Sequence, residues 1–374
     1  MPDERIFRQR IARLRQALLA PRGLDMLLAY ADDTLDAGAV RYLTDFDVYA
    51  MYALVLVPRR GDVALAFGLH HSAYLVRVRD AAMADYFHGT YAPGELCRRL
   101  LAEMERTAAP RIGIVGGARM MRRIDADLRK HLPDAEFVAV DEPFWRLVAE
   151  ADVADGAIDC LRRSAAIARQ SLAAAAAAVG QRSAREIAAE IGFAARRFGA
   201  DVLNREMVHI ALAAGPPLPE QLGPAAAAAQ AKDALAIEVS PGYRGYRTLC
   251  GRTFLASAER AAHRARLDAA FEVHREICAL VRPGLSAGGI TDKARSILAR
   301  AGSALAPDAK LGHGIGLSLI AEPILRSGNP AEILPGAALA VRTRHAAGAL
   351  GTIHLADTVL VTAADGEVLT TPAR

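Results

Sequence analysis

The chain opens with apolar residues at helical spacing, and short apolar runs alternate with further helical segments beyond it. Five apolar side chains share one face of a predicted helix over residues 4–20: Ile6, Phe7, Ile11, Leu14 and Leu18. The turn residues Pro21 and Gly23 end this helix. Apolar runs then predict four strands, over residues 24–30, 52–58, 63–67 and 111–115. Strands that alternate with helices predict an α/β domain over residues 1–150.

The second part of the chain begins with helical patterns and then turns to strands. A helix is predicted over residues 155–179 and another over 183–198, where Ser183 and Glu186 have the spacing of a capping box. Strands are predicted over residues 234–239, 246–254, 338–343 and 352–361. Helices near residues 258–281 and 290–301 separate them into two pairs. This order predicts a domain over residues 151–374 with two similar halves that face each other across a cleft.

Composition argues against several classes of partner. The net charge of +4 comes from 46 basic and 42 acidic residues, and no basic block is interleaved with aromatic residues, so no nucleic-acid partner is expected. No stretch has the roughly 18 continuous apolar residues of a membrane span, so no membrane partner is expected. The 4 cysteines are far apart, and the N-terminus lacks the apolar core of a secretory signal. We therefore expect reduced thiols and a cytoplasmic protein.

Several short motifs occur in the order and at the spacing found in one enzyme family. They are Phe7-Arg8-Gln9-Arg10, Arg41-Tyr42-Leu43-Thr44, Gly251-Arg252-Thr253-Phe254, Gly312-His313-Gly314-Ile315-Gly316-Leu317 and Asp357-Thr358-Val359-Leu360-Val361. With these motifs the chain resembles the creatinase/aminopeptidase P/methionine aminopeptidase family over nearly its full length. The resemblance implies an α/β (α+β) chain, with a creatinase-type N-terminal domain over residues 1–150 and a pita-bread domain with pseudo-twofold halves over residues 151–374. It also implies a homodimer.

The resemblance further implies where a metal centre would lie. Metal-dependent members bind two ions through two aspartates, one histidine and two glutamates, and the ions supply a hydroxide near neutral pH. The matching positions of this chain hold Glu238, Leu249, His313, Arg342 and Ala356. Leucine and alanine have no ligand atom, and the fixed charge of an arginine repels a dication. We therefore expect no metal, no other cofactor and no two-metal hydrolysis.

Creatinase is the metal-free enzyme of this family, and the resemblance implies which residues its chemistry would need. Its general acid/base is a histidine in the loop before the first ligand strand. The matching loop here, residues 215–223, contains no histidine. The glutamate that helps creatinase to hold its guanidinium substrate corresponds to Arg342. Creatinase activity itself is therefore not expected.

Strand alternation predicts which polar side chains remain in the cleft, because residues two positions apart share a face. Six are expected there: Glu238, Arg247, His313, Arg342, Arg344 and His354. Arg342, with Arg247 or Arg344, would bind the carboxylate of a small-molecule substrate through paired hydrogen bonds. His313 or His354 would move a proton. Glu238 would orient the histidine or hold a cationic group.

Three functions are compatible with these residues. The first is a metal-independent, creatinase-like enzyme that acts on a small carboxylate- or amine-bearing molecule by hydrolysis or elimination at a C–N or similar bond. The second is a pseudoenzyme with a binding or scaffolding role, in which Arg342 pairs with Glu238, since buried charges are normally paired. The third and less favoured is an Xaa-Pro peptidase-like metallohydrolase with substituted ligands, in which His345 and His354 join His313 and Glu238.

Overall fold

The chain divides into two compact units, which are described separately below. The computed structural model describes residues 4–32, 37–48, 51–68, 82–90, 92–104, 109–152, 156–201, 207–212, 235–255, 257–348 and 351–371. Unit 1 is Met1–Ala151 together with Leu317–Leu319, and unit 2 is Asp152–Gly316 together with Ile320–Arg374. Both units combine helices with a sheet, which confirms the predicted α/β class.

Unit 1 contains a mixed sheet of six strands. They are β1 Met26–Asp32, β2 Tyr52–Pro58, β3 Ala64–Phe67, β4 Tyr86–Gly89, β5 Arg111–Val115 and β6 Glu136–Ala139. Their order in the sheet is β4-β3-β2-β1-β5-β6, and β1 pairs antiparallel with β2 and parallel with β5. The central strands β1 and β2 are buried on both faces, which is why their sequences are apolar without alternation.

Helices cover both faces of the unit 1 sheet. They are α1 Glu4–Leu14, α2 Gly38–Thr44, α3 Gly94–Ala102, α4 Arg122–His131 and α5 Asp141–Asp152. Leu27 and Ala29 belong to a core cluster with residues of α1, α2 and α5. Met26 and Leu28 belong to a second cluster, with residues of α3 and α4. The alternation of side chains along β1 therefore divides the core of unit 1 into two layers.

Unit 2 contains a second, larger sheet. Its strands are β7 Met207–Leu212, β8 Leu235–Ser240, β11 Cys250–Phe254, β12 Gly312–Gly314, β13 Ala321–Leu325, β14 Ala338–Ala346, β15 Thr352–Val361 and β16 Gly366–Val368. The order is β13-β12-β14-β15-β11-β8-β7, and β16 pairs with β15. A separate hairpin is formed by β9 Gly242–Tyr243 and β10 Tyr246–Arg247.

Two pairs of helices accompany this sheet, one pair in each half of unit 2. They are α6 Ala157–Ala178 and α7 Ala184–Arg197, then α8 Ser257–Cys278 and α9 Ala287–Arg300. The predicted capping box is present, because the Ser183 side chain accepts from the Glu186 amide and Glu186 bonds back to the Ser183 amide. None of the helices within the described ranges is long and apolar enough to cross a membrane.

The four helices of unit 2 pack against one face of its sheet. Val239 lies in a core cluster with residues of α6 and α7, and Val341 and Val359 lie in another with residues of α8 and α9. We call this face the helix face. Because side chains alternate along a strand, Glu238 and Arg342 lie on the opposite face, which we call the site face.

One predicted strand is interrupted. The pattern over residues 246–254 predicts a continuous strand, but β10 ends at Arg247 and β11 begins at Cys250. Between them, the Thr358 hydroxyl accepts from the Leu249 amide at 2.7 Å and donates to the Leu249 carbonyl at 3.0 Å. A side chain therefore satisfies the backbone groups that a neighbouring strand would otherwise pair.

A buried ion pair on the helix face holds the strands of the site together. Arg252 on β11 donates from Nη2 to Asp357 Oδ1 at 2.9 Å and from Nη1 to the Ala356 carbonyl at 2.7 Å. Burial opposes ionisation of Asp357, but the Arg252 charge and a hydrogen bond from His274 outweigh it and lower the pKa of the Asp357 carboxyl. Asp357 therefore stays ionised and fixes β11 beside β15.

The same carboxylate begins a hydrogen-bonded chain that reaches β14 through α8. His274 Nε2 lies 3.2 Å from Asp357 Oδ2, which only accepts, so Nε2 carries the proton. Burial lowers the pKa of His274, so the ring is neutral and Nδ1 accepts from the Thr343 hydroxyl, 2.7 Å away. Since Thr343 has one proton to give, its oxygen accepts from His345 Nε2 at 2.8 Å. The donor and acceptor roles along this series of hydrogen bonds are therefore mutually consistent.

We expect Asp357→Ala to lower the free energy of unfolding by about 3–5 kcal/mol, because it leaves the Arg252 guanidinium buried without its partner. Urea denaturation followed by circular dichroism measures this. Asp308→Ala, which removes an exposed carboxylate, is the control and should change stability by less than about 0.5 kcal/mol. Equal effects of the two variants would contradict the role of the pair.

Candidate functional site

Four polar side chains from four strands of unit 2 meet on the site face. They are Glu238 on β8, His313 on β12, Arg342 on β14 and His354 on β15, and we call them the Arg342 cluster. Strand register brings them together. Arg342 lies opposite Ala356, which lies opposite Gly251, which in turn lies opposite Glu238. The two residues between Arg342 and Glu238 are therefore both small.

Arg342 and Glu238 form a two-point ion pair. Arg342 Nε donates to Glu238 Oε2 at 2.8 Å, and Nη2 donates to Oε1 at 2.9 Å. Such planar, bidentate pairs are among the strongest hydrogen-bonded contacts between side chains. Burial opposes ionisation of Glu238, but the Arg342 charge and the His354 hydrogen bond outweigh it and hold the pKa of this carboxyl well below its usual range.

His313 is neutral, and its basic nitrogen is already hydrogen-bonded. Its Nδ1 lies 2.9 Å from the Gly314 carbonyl, which only accepts, so the proton is on Nδ1. Its Nε2 lies 2.7 Å from Arg342 Nη1, which only donates, so the Nε2 lone pair accepts. Burial and then the Arg342 charge lower the pKa of His313 to about 4. At neutral pH the imidazole therefore has no free lone pair.

His354 also bonds to Glu238 but keeps one uncommitted nitrogen. Its Nε2 lies 3.0 Å from Glu238 Oε2, and because this carboxylate is ionised, Nε2 carries a proton and donates. Its Nδ1 is buried and has no hydrogen-bond partner among the described residues. Glu238 thus accepts from Arg342 and from His354 at once.

Glycine at position 251 makes the contact between His354 and Glu238 possible. A strand, β11, lies between β15 and β8, so the His354 side chain has to pass over it to reach Glu238. A Cβ atom on Gly251 would lie 2.9 Å from the Ala356 Cβ and 3.0 Å from His354 Nε2. Both distances are shorter than ordinary contacts, so only glycine leaves room for this crossing.

The residues of the site do not fit the two-metal centre that the resemblance implies. Leu249 and Ala356 carry no ligand atoms, and the Arg342 guanidinium covers both oxygens of Glu238. Within the described ranges, no group of three or more His, Cys, Asp or Glu side chains is placed to hold a metal ion. His345 does not join His313 and Glu238, because it hydrogen-bonds to Thr343 on the helix face.

The remaining two predicted binding residues occupy different environments. Arg247 on β10 is buried and donates from Nη1 to the Ser240 carbonyl at 3.0 Å. Arg344 is exposed and lies opposite His354 in the register of β14 and β15, so it shares the site face with Arg342. The spatial role of Gly251 was not predicted from the sequence, although a glycine inside a predicted strand signals a close approach of this kind.

Comparison with known proteins identifies the family. A profile described as metallopeptidase family M24 matches residues 159–363, more than half of the chain. The chain therefore belongs to this family, which confirms the resemblance found in the motifs. No curated protein sequence matches the chain significantly.

Solved structures resemble the chain over its whole length. The prolidase from Pyrococcus horikoshii OT3 has a TM-score of 0.76 at 16% identity, covering 98% of this chain and 99% of its own. The dipeptidase PepE from Mycobacterium ulcerans has a TM-score of 0.76 at 19% identity, with coverages of 99% and 97%. The N-terminal domain of the FACT complex subunit SPT16 from chickpea, Cicer arietinum, has 0.71 at 13%, with 100% and 98%. At these identities the likeness establishes the fold.

We expect Gly251→Ala to displace His354 from Glu238 and to destabilise the protein by about 1–3 kcal/mol, because the added methyl group overlaps two neighbours. Loss of the hydrogen bond would appear as a changed ¹⁵N shift of His354 Nε2. The double variant Gly251→Ala/Ala356→Gly removes the Ala356 Cβ atom, so that the new methyl group overlaps only His354. It thus separates the effects of the two clashes. Full recovery of both stability and the His354 shift in the double variant would show that His354 does not need the space.

The low pKa of His313 predicts a loss of stability in acid. Because the folded-state pKa of about 4 lies below the ordinary 6.5, the folded protein favours the neutral imidazole. This contribution is complete above pH 6.5, falls as pH drops towards 4, and amounts to at most about 3 kcal/mol. Urea denaturation between these pH values should show a smaller loss for His313→Gln than for the wild type. Parallel curves for the two proteins would exclude this role for His313.

Proposed function

We propose that this chain is a non-hydrolytic member of metallopeptidase family M24 that binds a ligand instead of cleaving it. One observation carries the proposal: the Arg342 guanidinium is bonded to both oxygens of Glu238 and to the basic nitrogen of His313. Glu238 and His313, which would otherwise hold a metal or accept a proton, are thereby both paired with Arg342.

The charge in the site supports this proposal. A two-metal hydrolase uses its carboxylates to hold dications, which in turn generate a hydroxide and polarise a carbonyl group. Here the positive charge next to Glu238 is the guanidinium of Arg342, which is part of β14 and cannot be exchanged as a bound ion can. A guanidinium offers electrostatic attraction but no coordination site at which water could be activated.

The absence of a suitable base at His313 and Glu238 supports the proposal as well. A general base needs an available lone pair and a pKa near the working pH. The His313 lone pair accepts from Arg342, and burial together with the Arg342 charge lowers the pKa of its imidazole to about 4. The Arg342 charge likewise keeps Glu238 ionised and weakly basic.

The fold is compatible both with a hydrolase and with a non-hydrolytic binding protein. It occurs in proteins described as a prolidase and a dipeptidase, and also in the N-terminal domain of a protein described as a subunit of the FACT complex. We propose a small molecule as the ligand and a homodimer in the cytoplasm as the working form. Light scattering coupled to gel filtration would measure the oligomeric state.

A second candidate, a metal-independent enzyme, is favoured by one feature of His354. Its Nε2 donates to Glu238, and its Nδ1 has no partner in the described part of the chain. An imidazole oriented by a carboxylate is the arrangement of many general bases. Such an enzyme would act on a small carboxylate- or amine-bearing molecule at a C–N or similar bond.

We expect the purified protein to release no proline from Xaa-Pro dipeptides, with or without added Mn²⁺, Co²⁺ or Zn²⁺, and to retain substoichiometric metal by elemental mass spectrometry. A variant with Glu238→Asp, Leu249→Asp, Arg342→Glu and Ala356→Glu restores the ligand types of the family. It should retain more metal than the wild type, provided that circular dichroism shows the same fold. Stoichiometric metal or steady turnover in the wild type would overturn the proposal, and turnover lost in His354→Ala would favour the second candidate.

A further inference from the structure

A second guanidinium lies beside the Arg342 cluster on the site face. Arg344 follows Arg342 by two positions on β14, so their side chains leave the same face of the sheet about 6–7 Å apart. Arg344 is exposed, and its guanidinium makes no hydrogen bond or ion pair with any residue that the structure describes. Within the described part of the chain, all of its donors are therefore available.

Arg342 also has N–H groups that make no hydrogen bond with a described residue. A guanidinium has five N–H groups. Three nitrogens of Arg342 each use one of them, towards Glu238 and His313, and no other described residue takes the remaining two. The side chain is 32% exposed, whereas Glu238 beneath it is 5% exposed. The unused donors therefore belong to a side chain that is partly exposed to solvent.

The charge around these donors is positive. The Arg342 charge offsets that of Glu238, which leaves Arg344 and Lys310. Lys310 is exposed, and its charge reaches the site, because it adds to burial and to Arg342 in lowering the pKa of His313. An anion that approached this face would meet two cations that form no ion pair with a described residue, and a guanidinium with two N–H groups that no described residue accepts.

We propose that Arg344 and the unused N–H groups of Arg342 form a subsite for the carboxylate group of a small organic acid or of a peptide C-terminus. This inference rests on the proposed binding function and names the class of its ligand. A carboxylate suits these donors because its two coplanar oxygens match the planar guanidinium fork. Glu238 stays in place, since it uses a different edge of Arg342.

Isothermal titration calorimetry with four probes tests the subsite: succinate, the dipeptide Ala-Ala, Ala-Ala amide and inorganic phosphate. We expect succinate or Ala-Ala to bind the wild type and the amide, which lacks the carboxylate, not to bind. Binding of succinate alone would identify a free acid as the ligand, and binding of Ala-Ala alone would identify a peptide C-terminus. Binding should weaken as salt concentration rises.

Variants of three arginines then test where on the protein the carboxylate binds. Arg344→Ala should weaken binding about tenfold, the size expected for a lost charge-assisted contact. Arg185→Ala removes the same charge from α7, which packs on the helix face, and should leave affinity unchanged. Arg342→Lys keeps the charge beside Glu238 and should weaken binding through loss of the planar fork.

Three outcomes would overturn the subsite: no binding of either carboxylate at millimolar concentration, equal effects of Arg344→Ala and Arg185→Ala, or binding of inorganic phosphate in place of both carboxylates. Cleavage of Ala-Ala during the titration would instead overturn the proposed non-hydrolytic function and leave the subsite standing. The two failures are therefore distinguishable in one experiment.

Discussion

The ion pair between Arg342 and Glu238 is the contact on which the rest of the site depends. A carboxylate buried in a sheet needs a compensating charge, since a buried charge without a partner is strongly destabilising. In metal-dependent members of the family, such charge is balanced by bound ions. In this chain it is balanced by a side chain of a neighbouring strand, and that side chain also fixes His313. One guanidinium thereby sets the ionisation of Glu238 and the tautomer of His313.

The two faces of the unit 2 sheet support each other because neighbours in sequence point to opposite sides. Arg342 on the site face is followed by Thr343, and Ala356 by Asp357, both of which belong to the buried hydrogen-bonded chain on the helix face. These hydrogen bonds connect β14 and β15 to α8, and the Arg252–Asp357 ion pair connects β11 to β15. Contacts on the helix face therefore stabilise the register that places His354 over Gly251 and next to Glu238.

An arginine side chain differs from a bound metal ion in the chemistry that it can support. It cannot exchange ligands or hold a water molecule for attack, but its unused N–H groups can still attract an anion. Loss of hydrolysis and gain of anion recognition would thus have one physical cause at Arg342. The exposure of Arg344 beside it extends the same surface.

Periodicity and motifs in the sequence determined the first helix, the four helices of unit 2, the central strands of both sheets, the α/β class and the family. Helix and strand spacing and the order of short motifs are local properties of the chain. Alternation also placed Arg342 and Arg344 on one face. The partners of these side chains were decided by the tertiary structure. Arg342 and Glu238 are 104 positions apart, and their contact depends on how four strands are ordered. The contact of His354 with Glu238 depends in addition on the absence of a side chain at Gly251. Those are properties of packed neighbours, which no local pattern encodes.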